Sequence, residues 1–155
     1  MTTQERATAP ASSIMEMRHA TAVEIAGRAV LLTGRSGAGK SDLAIRLIDR
    51  GARLISDDYT ELTRVGEVVL AGPPALIAGK IEVRGIGVIE VPYVEAIPVA
   101  LLVTLDEVVE RMPTKARTIC IAGINIPVLA LEPFHASTAI KIQIALTRPE
   151  GATND

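Results

Sequence analysis

The chain has 155 residues, a formal net charge of −2 and an apolar fraction of 48% that is almost wholly aliphatic, with one Phe, two Tyr and no Trp. That length accommodates a single domain with a core of its own. The charge lacks the basic footprint of a nucleic-acid binder, and the scarcity of aromatic rings argues against stacking on single strands.

Residues 1–16 are rich in Thr, Ala and Ser and read as a disordered tail; they have no apolar stretch that would serve as an export signal. Two short β patterns, 21–25 and 28–32, flank Gly27 and predict a hairpin. The second leads into Gly34-Arg35-Ser36-Gly37-Ala38-Gly39-Lys40-Ser41, which fits the phosphate-loop pattern G-x-x-x-x-G-K-[ST] at every fixed position. A strand before it and a helix pattern over 41–50 after it give the context that the mechanism needs. In such a loop the glycines let backbone N–H groups turn toward an anionic phosphate, and the helix N-terminus adds a favourable dipole. Lys40 then reaches the β- and γ-phosphates, and the Ser41 hydroxyl ligates Mg²⁺. The chain is expected to bind a nucleotide or another polyphosphate.

The helix is expected to end at Gly51, and 52–56 reads as the next strand. Strand 29–33, helix 41–50 and strand 52–56 then form a βαβ unit with parallel strands, which puts Asp57 and Asp58 on the same sheet edge as the phosphate loop. Adjacent residues on extended backbone face opposite ways, so one carboxylate is free for metal-bound water and the other for an incoming hydroxyl. Segments 59–63 and 67–70 predict a second hairpin, and 81–84, 87–91, 98–104, 117–121 and 126–131 continue the β pattern. Cys120 lies in the apolar run Thr118-Ile119-Cys120-Ile121 and reads as a small buried hydrophobe; a lone cysteine forms no disulfide within the chain, which suits a reducing cytoplasm. Segment 136–146 predicts a second long helix with Phe134, Ile140 and Ile144 on its packing side, and 148–155 a second disordered end. His135 reads as an ordinary residue at a helix start. No apolar run reaches the length of a membrane span. The fold class is α/β, a single phosphate-loop domain over 17–147 with a mixed, β-rich sheet.

From His19 to Arg111 the chain resembles the catalytic domain of HPr kinase/phosphorylase, an enzyme that phosphorylates a serine of the sugar-transport phosphocarrier HPr. Three stretches carry the resemblance: His19 at the family's interval from the phosphate loop; Arg53-Leu-Ile-Ser-Asp-Asp58; and Gly72-Pro-Pro74 through Ile81-Glu-Val-Arg-Gly-Ile-Gly-Val-Ile89, similar to the signature E-[IV]-R-G-[LI]-G-[IV]-[IV]. The resemblance implies a fold of the PEP-carboxykinase/HPr-kinase type, ATP or pyrophosphate as phosphoryl donor, Mg²⁺ as cofactor and HPr as protein partner. It also implies a homohexamer in the cytoplasm with a role in carbon regulation. Asp58 matches the family's acid/base and His19 an active-site histidine. Glu82 matches a second Mg²⁺ ligand beside Ser41, with Asp57 acting on the same ion through water. Arg84 and Arg111 match cations that meet phosphate or the protein substrate, Arg111 at the catalytic centre.

There are departures too. Family members usually carry a domain ahead of the catalytic one, and fewer than twenty residues precede His19 here, so the resemblance is to a compact, alphaproteobacterial form. Asp42 stands where many members have Glu. Segment 91–97 is shorter than the family's flexible loop, which is implicated in dephosphorylation, so phosphorylation is the firmer expectation. Two competing readings are a small-metabolite kinase of the shikimate-kinase type and a non-catalytic nucleotide-binding module. The first would continue past the aspartates with helices and an Arg-rich lid rather than with hairpins.

Overall fold

The structure is a computed structural model that describes residues 14–148. Most of both expected tails lies outside the described residues, although Met15 and Glu16 belong to the first strand, β1 (Met15–Arg18). Strands β2 (Thr21–Ile25) and β3 (Arg28–Thr33) pair antiparallel around a two-residue turn. Ala26 and Gly27 both have positive φ there, 52° and 82°, as the tightest hairpin turn requires. After the phosphate loop come α1 (Lys40–Asp49), β4 (Arg53–Ser56), and the hairpin β5 (Thr60–Val65) and β6 (Val68–Gly72). A 3₁₀ turn at Ala75–Ile77 leads into a separate two-stranded arm, β7 (Lys80–Val83) and β8 (Gly87–Glu90). The chain then forms β9 (Ile97–Thr104), β10 (Arg117–Ile121), β11 (Ile124–Ala130) and α2 (Thr138–Thr147).

The main sheet runs β1-β5-β6-β9-β3-β2-β4 and forks at β9. The first residues of β9 pair antiparallel with β6, while its last three pair parallel with β11, which carries β10 at the edge. Along its other side β9 runs parallel to β3. One expectation is corrected here: β3 and β4 do point the same way, but they are not neighbours. The tight hairpin turn holds β2 directly beside β3, so the chain leaving α1 pairs with β2's far side. The inserted strand is antiparallel to both, and the carboxyl ends of β3, β4, β9 and β11 still share one rim.

Residues 29–32 of β3 are apolar without a break because both sheet faces are covered there. Val30 and Leu32 face α1 and α2, packing with Leu43, Leu47, Ile142 and Leu146. Ala29 and Leu31 face the opposite layer with Ile55, Leu62 and Ile121. Two further expectations fail. Ala139, Ile142 and Leu146 form the packing face of α2, while Phe134, Ile140 and Ile144 are exposed. That helix is apolar nearly all round, so its periodicity could not choose a face. Cys120 is exposed as well; β10 turns Ile121 into the core and Cys120 outward, by the ordinary alternation of a strand. Glu24 of β2 ties the rim's opposite end together. Its carboxylate accepts from the Gly27 N–H at 2.6 Å and from Arg53 Nε of β4 at 2.8 Å. The guanidinium bond holds the Glu24 carboxyl below its usual range.

Candidate active site

A cleft of about 390 Å³ opens on the shared rim. It is lined by Ser36, Gly37, Gly39, Lys40 and Ser41 of the phosphate loop, by Asp57 and Asp58 after β4, and by Glu82 and Arg84 of the β7–β8 arm. The sequence therefore identified most of its polar wall. Gly39 has φ +101°, a backbone that favours glycine, and a methyl group built there would stand 2.9 Å from two ring atoms of Phe134, which would have to shift. The Lys40 ammonium, which is buried, donates to the carbonyls of Gly34 at 2.8 Å and Arg35 at 3.1 Å. That bracing folds the loop back over the start of α1, with Ala38 N–H donating to the Arg35 carbonyl at 3.0 Å.

The two aspartates have separate surroundings. Asp57 is 7% exposed, and its carboxylate accepts three hydrogen bonds. Ser41 Oγ donates to Oδ1 at 2.6 Å and Thr21 Oγ1 at 3.1 Å, while the Glu82 N–H donates to Oδ2 at 3.0 Å. One side chain thus joins phosphate loop, β2 and β7. Asp58 faces outward, its side chain 60% exposed, and its Oδ1 lies 2.9 Å from His19 Nε2. The split arises differently from the expected alternation along a strand. Asp58 sits at φ +73°, the middle of a tight turn closed by Tyr59 N–H donating to the Asp57 carbonyl at 2.8 Å. Its own N–H donates to Thr21 Oγ1 at 3.2 Å. A non-glycine residue held in the left-handed region costs about 1–3 kcal/mol, and such strain gathers at functional positions. His19 also lies against Tyr59, ring centroids 5.0 Å apart and tilted by 33°.

Other sequence-predicted residues fall less centrally. Arg35 points away from the cleft, 79% exposed, toward Asp106 at 3.9 Å, and its N–H donates to Asp106 Oδ2 at 2.8 Å. Neither it nor Gly34 or Ala38 lines the cleft, and Ala38 packs against the core instead. Arg111 is exposed in the segment between β9 and β10 and does not line the cleft. Sequence reasoning missed Asp106, Thr21 and Phe134. The first follows the end of β9, a parallel neighbour of β3, and position at a parallel strand's carboxyl end is the signal that could have found it.

Among the described residues no three His, Cys, Asp or Glu side chains are close enough to hold a metal by themselves. The donors at the cleft are hard oxygens: the Ser41 hydroxyl bonded to the Asp57 carboxylate, with the Glu82 carboxylate nearby. A few oxygen donors beside a phosphate loop fit Mg²⁺, which keeps several waters and takes substrate phosphate oxygens. They suit zinc less, since its protein sites are built mainly on His nitrogen and Cys sulfur.

A family model described as the HPr Serine kinase C-terminal domain matches residues 11–147. The chain belongs to this family. Over 74 residues it is 43% identical to the HPr kinase/phosphorylase of Clostridium acetobutylicum, a match covering 48% of this chain and 24% of that protein. Over 127 residues it is 35% identical to the HPr kinase/phosphorylase of Caldicellulosiruptor bescii, covering 74% of this chain and 41% of that protein. The match thus spans about a quarter to two fifths of the length of these relatives. Among solved structures, the Hpr(Ser) kinase/phosphatase from Coxiella burnetii superposes with a TM-score of 0.71 at 28% identity, covering 84% of this chain and 97% of that one. The α/β fold with a mixed, β-rich sheet is the fold of this family.

Proposed function

We propose that the chain is a serine kinase that transfers the γ-phosphoryl group of ATP to a serine of the phosphocarrier HPr. In the reverse sense it would catalyse phosphorolysis of seryl-phosphorylated HPr to give pyrophosphate. The observation that carries this reading is the Asp58–His19 pair on the rim where the phosphate loop opens, next to a second aspartate bonded to Ser41. The names of the similar proteins support the reaction and the acceptor. The continuation past the aspartates with hairpins, rather than with the helices of a small-metabolite kinase, supports a protein acceptor.

In the forward direction the serine hydroxyl oxygen forms a bond to the γ-phosphorus. The bond from that phosphorus to the β,γ-bridging oxygen breaks, and ADP leaves with the electron pair. Asp58 takes the hydroxyl proton, and His19 holds its carboxylate in position. The Lys40 ammonium follows the β- and γ-phosphates, and Arg84 meets phosphate or acceptor at the cleft mouth. In reverse, an oxygen of inorganic phosphate attacks the phosphoserine phosphorus, the ester bond breaks, and protonated Asp58 returns its proton to the serine oxygen. Mg²⁺, held by Ser41 and Glu82 with Asp57 behind a water, would supply positive charge to the phosphate oxygens. Arg111, exposed between β9 and β10 and not among the residues that line the cleft, is given no step in this scheme.

Association with further copies, as a homohexamer by resemblance, is supported by the exposed Ile140 and Ile144 on α2. No helix among the described residues is long and apolar enough to cross a membrane. A cytoplasmic setting and a role in sugar-transport regulation are part of the same proposal.

Incubation of the purified protein with γ-labelled ATP, Mg²⁺ and HPr from the same organism tests it. Label on one serine of HPr, and pyrophosphate release from that product upon addition of phosphate, is the expected result. Label transferred only to a small hydroxy acid, or bound ATP with no transfer at all, would replace this reading by one of its competitors.

A further inference from the structure

We propose that Phe134 is the platform on which the base of the donor nucleotide stacks; this rests on the phosphate loop's binding a nucleotide, as argued above. Phe134 is the chain's one phenylalanine, it is 63% exposed, and it lines the cleft. Its place relative to the reacting end is fixed by the sheet. Asp57 and Asp58 follow β4, on one flank of β3, whereas Phe134 follows β11, on the other flank beyond β9. The phosphate loop leaves β3 between them. A triphosphate lying on this loop with its γ-phosphorus toward Asp58 therefore has its nucleoside end toward Phe134.

The turn that carries the ring is also braced. Its edge lies against Gly39, where an added methyl would meet Cε1 and Cζ at 2.9 Å and Pro133 Cβ at 3.3 Å. Arg46 of α1 fixes the backbone on both sides of it. One guanidinium nitrogen donates to the His135 carbonyl at 3.2 Å, another to the Pro133 carbonyl, and Nε pairs with Asp42 at 3.1 Å. Thr138 Oγ1 closes the same turn on the Glu132 carbonyl. A solvent-exposed aromatic ring on a braced turn beside a phosphate cradle is what a nucleobase needs, since every base offers a π-face.

Direct binding measurements with Mg²⁺-ATP and with inorganic Mg²⁺-tripolyphosphate, which lacks a base, test the assignment on wild type, Phe134→Ala and Phe134→Trp. Phe134→Ala should weaken ATP about tenfold and leave tripolyphosphate unchanged, in line with the loss of one base stack. Phe134→Trp should restore ATP affinity, and its indole, the chain's sole Trp, should change fluorescence with ATP but not with tripolyphosphate. Unchanged ATP affinity in Phe134→Ala, with or without a raised KM for the protein acceptor, would overturn the proposal. So would an equal loss for both ligands, which marks a disturbed turn. Failure of the wild type to bind either ligand would instead overturn the phosphate-loop reading and this one with it.

Discussion

The cleft has two halves that differ in how fully their polar groups are engaged. On the inner half, Lys40, Ser41 and Asp57 are tied to backbone carbonyls and to one another, and the Asp57 carboxylate accepts from three elements. On the outer half, Asp58 has one side-chain partner among the described residues, the half-buried His19, while Asp58 itself is exposed, as are Glu82 and Arg84. Two adjacent aspartates are thus given opposite surroundings by one tight turn: Asp57 is built into the structure, and Asp58 is left exposed, as the proposed reaction requires of the group that meets the hydroxyl. A buried carboxylate with its lone pairs engaged is poorly placed to take a proton. An exposed one on a strained backbone is free to do so.

Substitutions on the two halves should separate binding and stability from transfer. Short of replacing Asp58 itself, the largest effect is expected from Lys40→Ala. Loss of one charge-assisted contact to phosphate should weaken ATP roughly a hundredfold, read by direct titration. Asp57→Ala takes the acceptor from the buried Thr21 hydroxyl and from the part-buried Ser41 hydroxyl and Glu82 N–H, and thermal unfolding should report a loss of about 2–3 kcal/mol. Asp58→Ala, on the exposed side, should change stability by less than about 0.5 kcal/mol. His19→Ala should slow transfer about tenfold with ATP affinity unaltered, as befits a residue that positions the base rather than bears the charge of the donor; an equal fall in ATP affinity would move His19 to the inner half.

A modest effect is expected far from the cleft, at Glu24. Its carboxyl is depressed by the Arg53 guanidinium, so the stabilisation is present above the ordinary value of 4.5 and is lost as pH falls through the lower folded value. Glu24→Gln should cost about 1 kcal/mol at pH 7, from weakened hydrogen bonds to Gly27 and Arg53, and should flatten the acid limb of stability below pH 4.5. Denaturant unfolding at pH 7 and near pH 3.5 is the check; an undiminished acid limb in the variant would place that loss elsewhere.

The parts of this site written in contiguous residues were legible in the sequence. The phosphate loop and the aspartates after β4 announce themselves by local spacing, and the Glu82–Arg84 stretch by its resemblance to a family signature. The hairpin around Gly27 was legible for the same reason, yet its consequence was not. That the hairpin keeps β2 between β3 and β4 depends on pairing choices along the whole sheet. Asp106 and Phe134 reach the loop from about 70 and 95 residues downstream, brought in by parallel pairing of β9 with β3 and β11 with β9. Cys120 and the exposed face of α2 were misread because an apolar run does not say which side is covered. The positive φ at Asp58 left no mark in the sequence, since aspartate there reads as an ordinary turn residue.

The central claim is that Asp58 takes the proton from the serine while the inner half holds the nucleotide. Single-turnover transfer from ATP to HPr, measured for wild type and Asp58→Asn beside the ATP affinity of the same preparations, tests it most directly. Asparagine keeps the shape and removes the proton acceptor, so transfer should fall by about 10²–10⁴ with ATP affinity within a few fold. Transfer near the wild-type rate, or a fall in transfer matched by an equal fall in affinity, would contradict it.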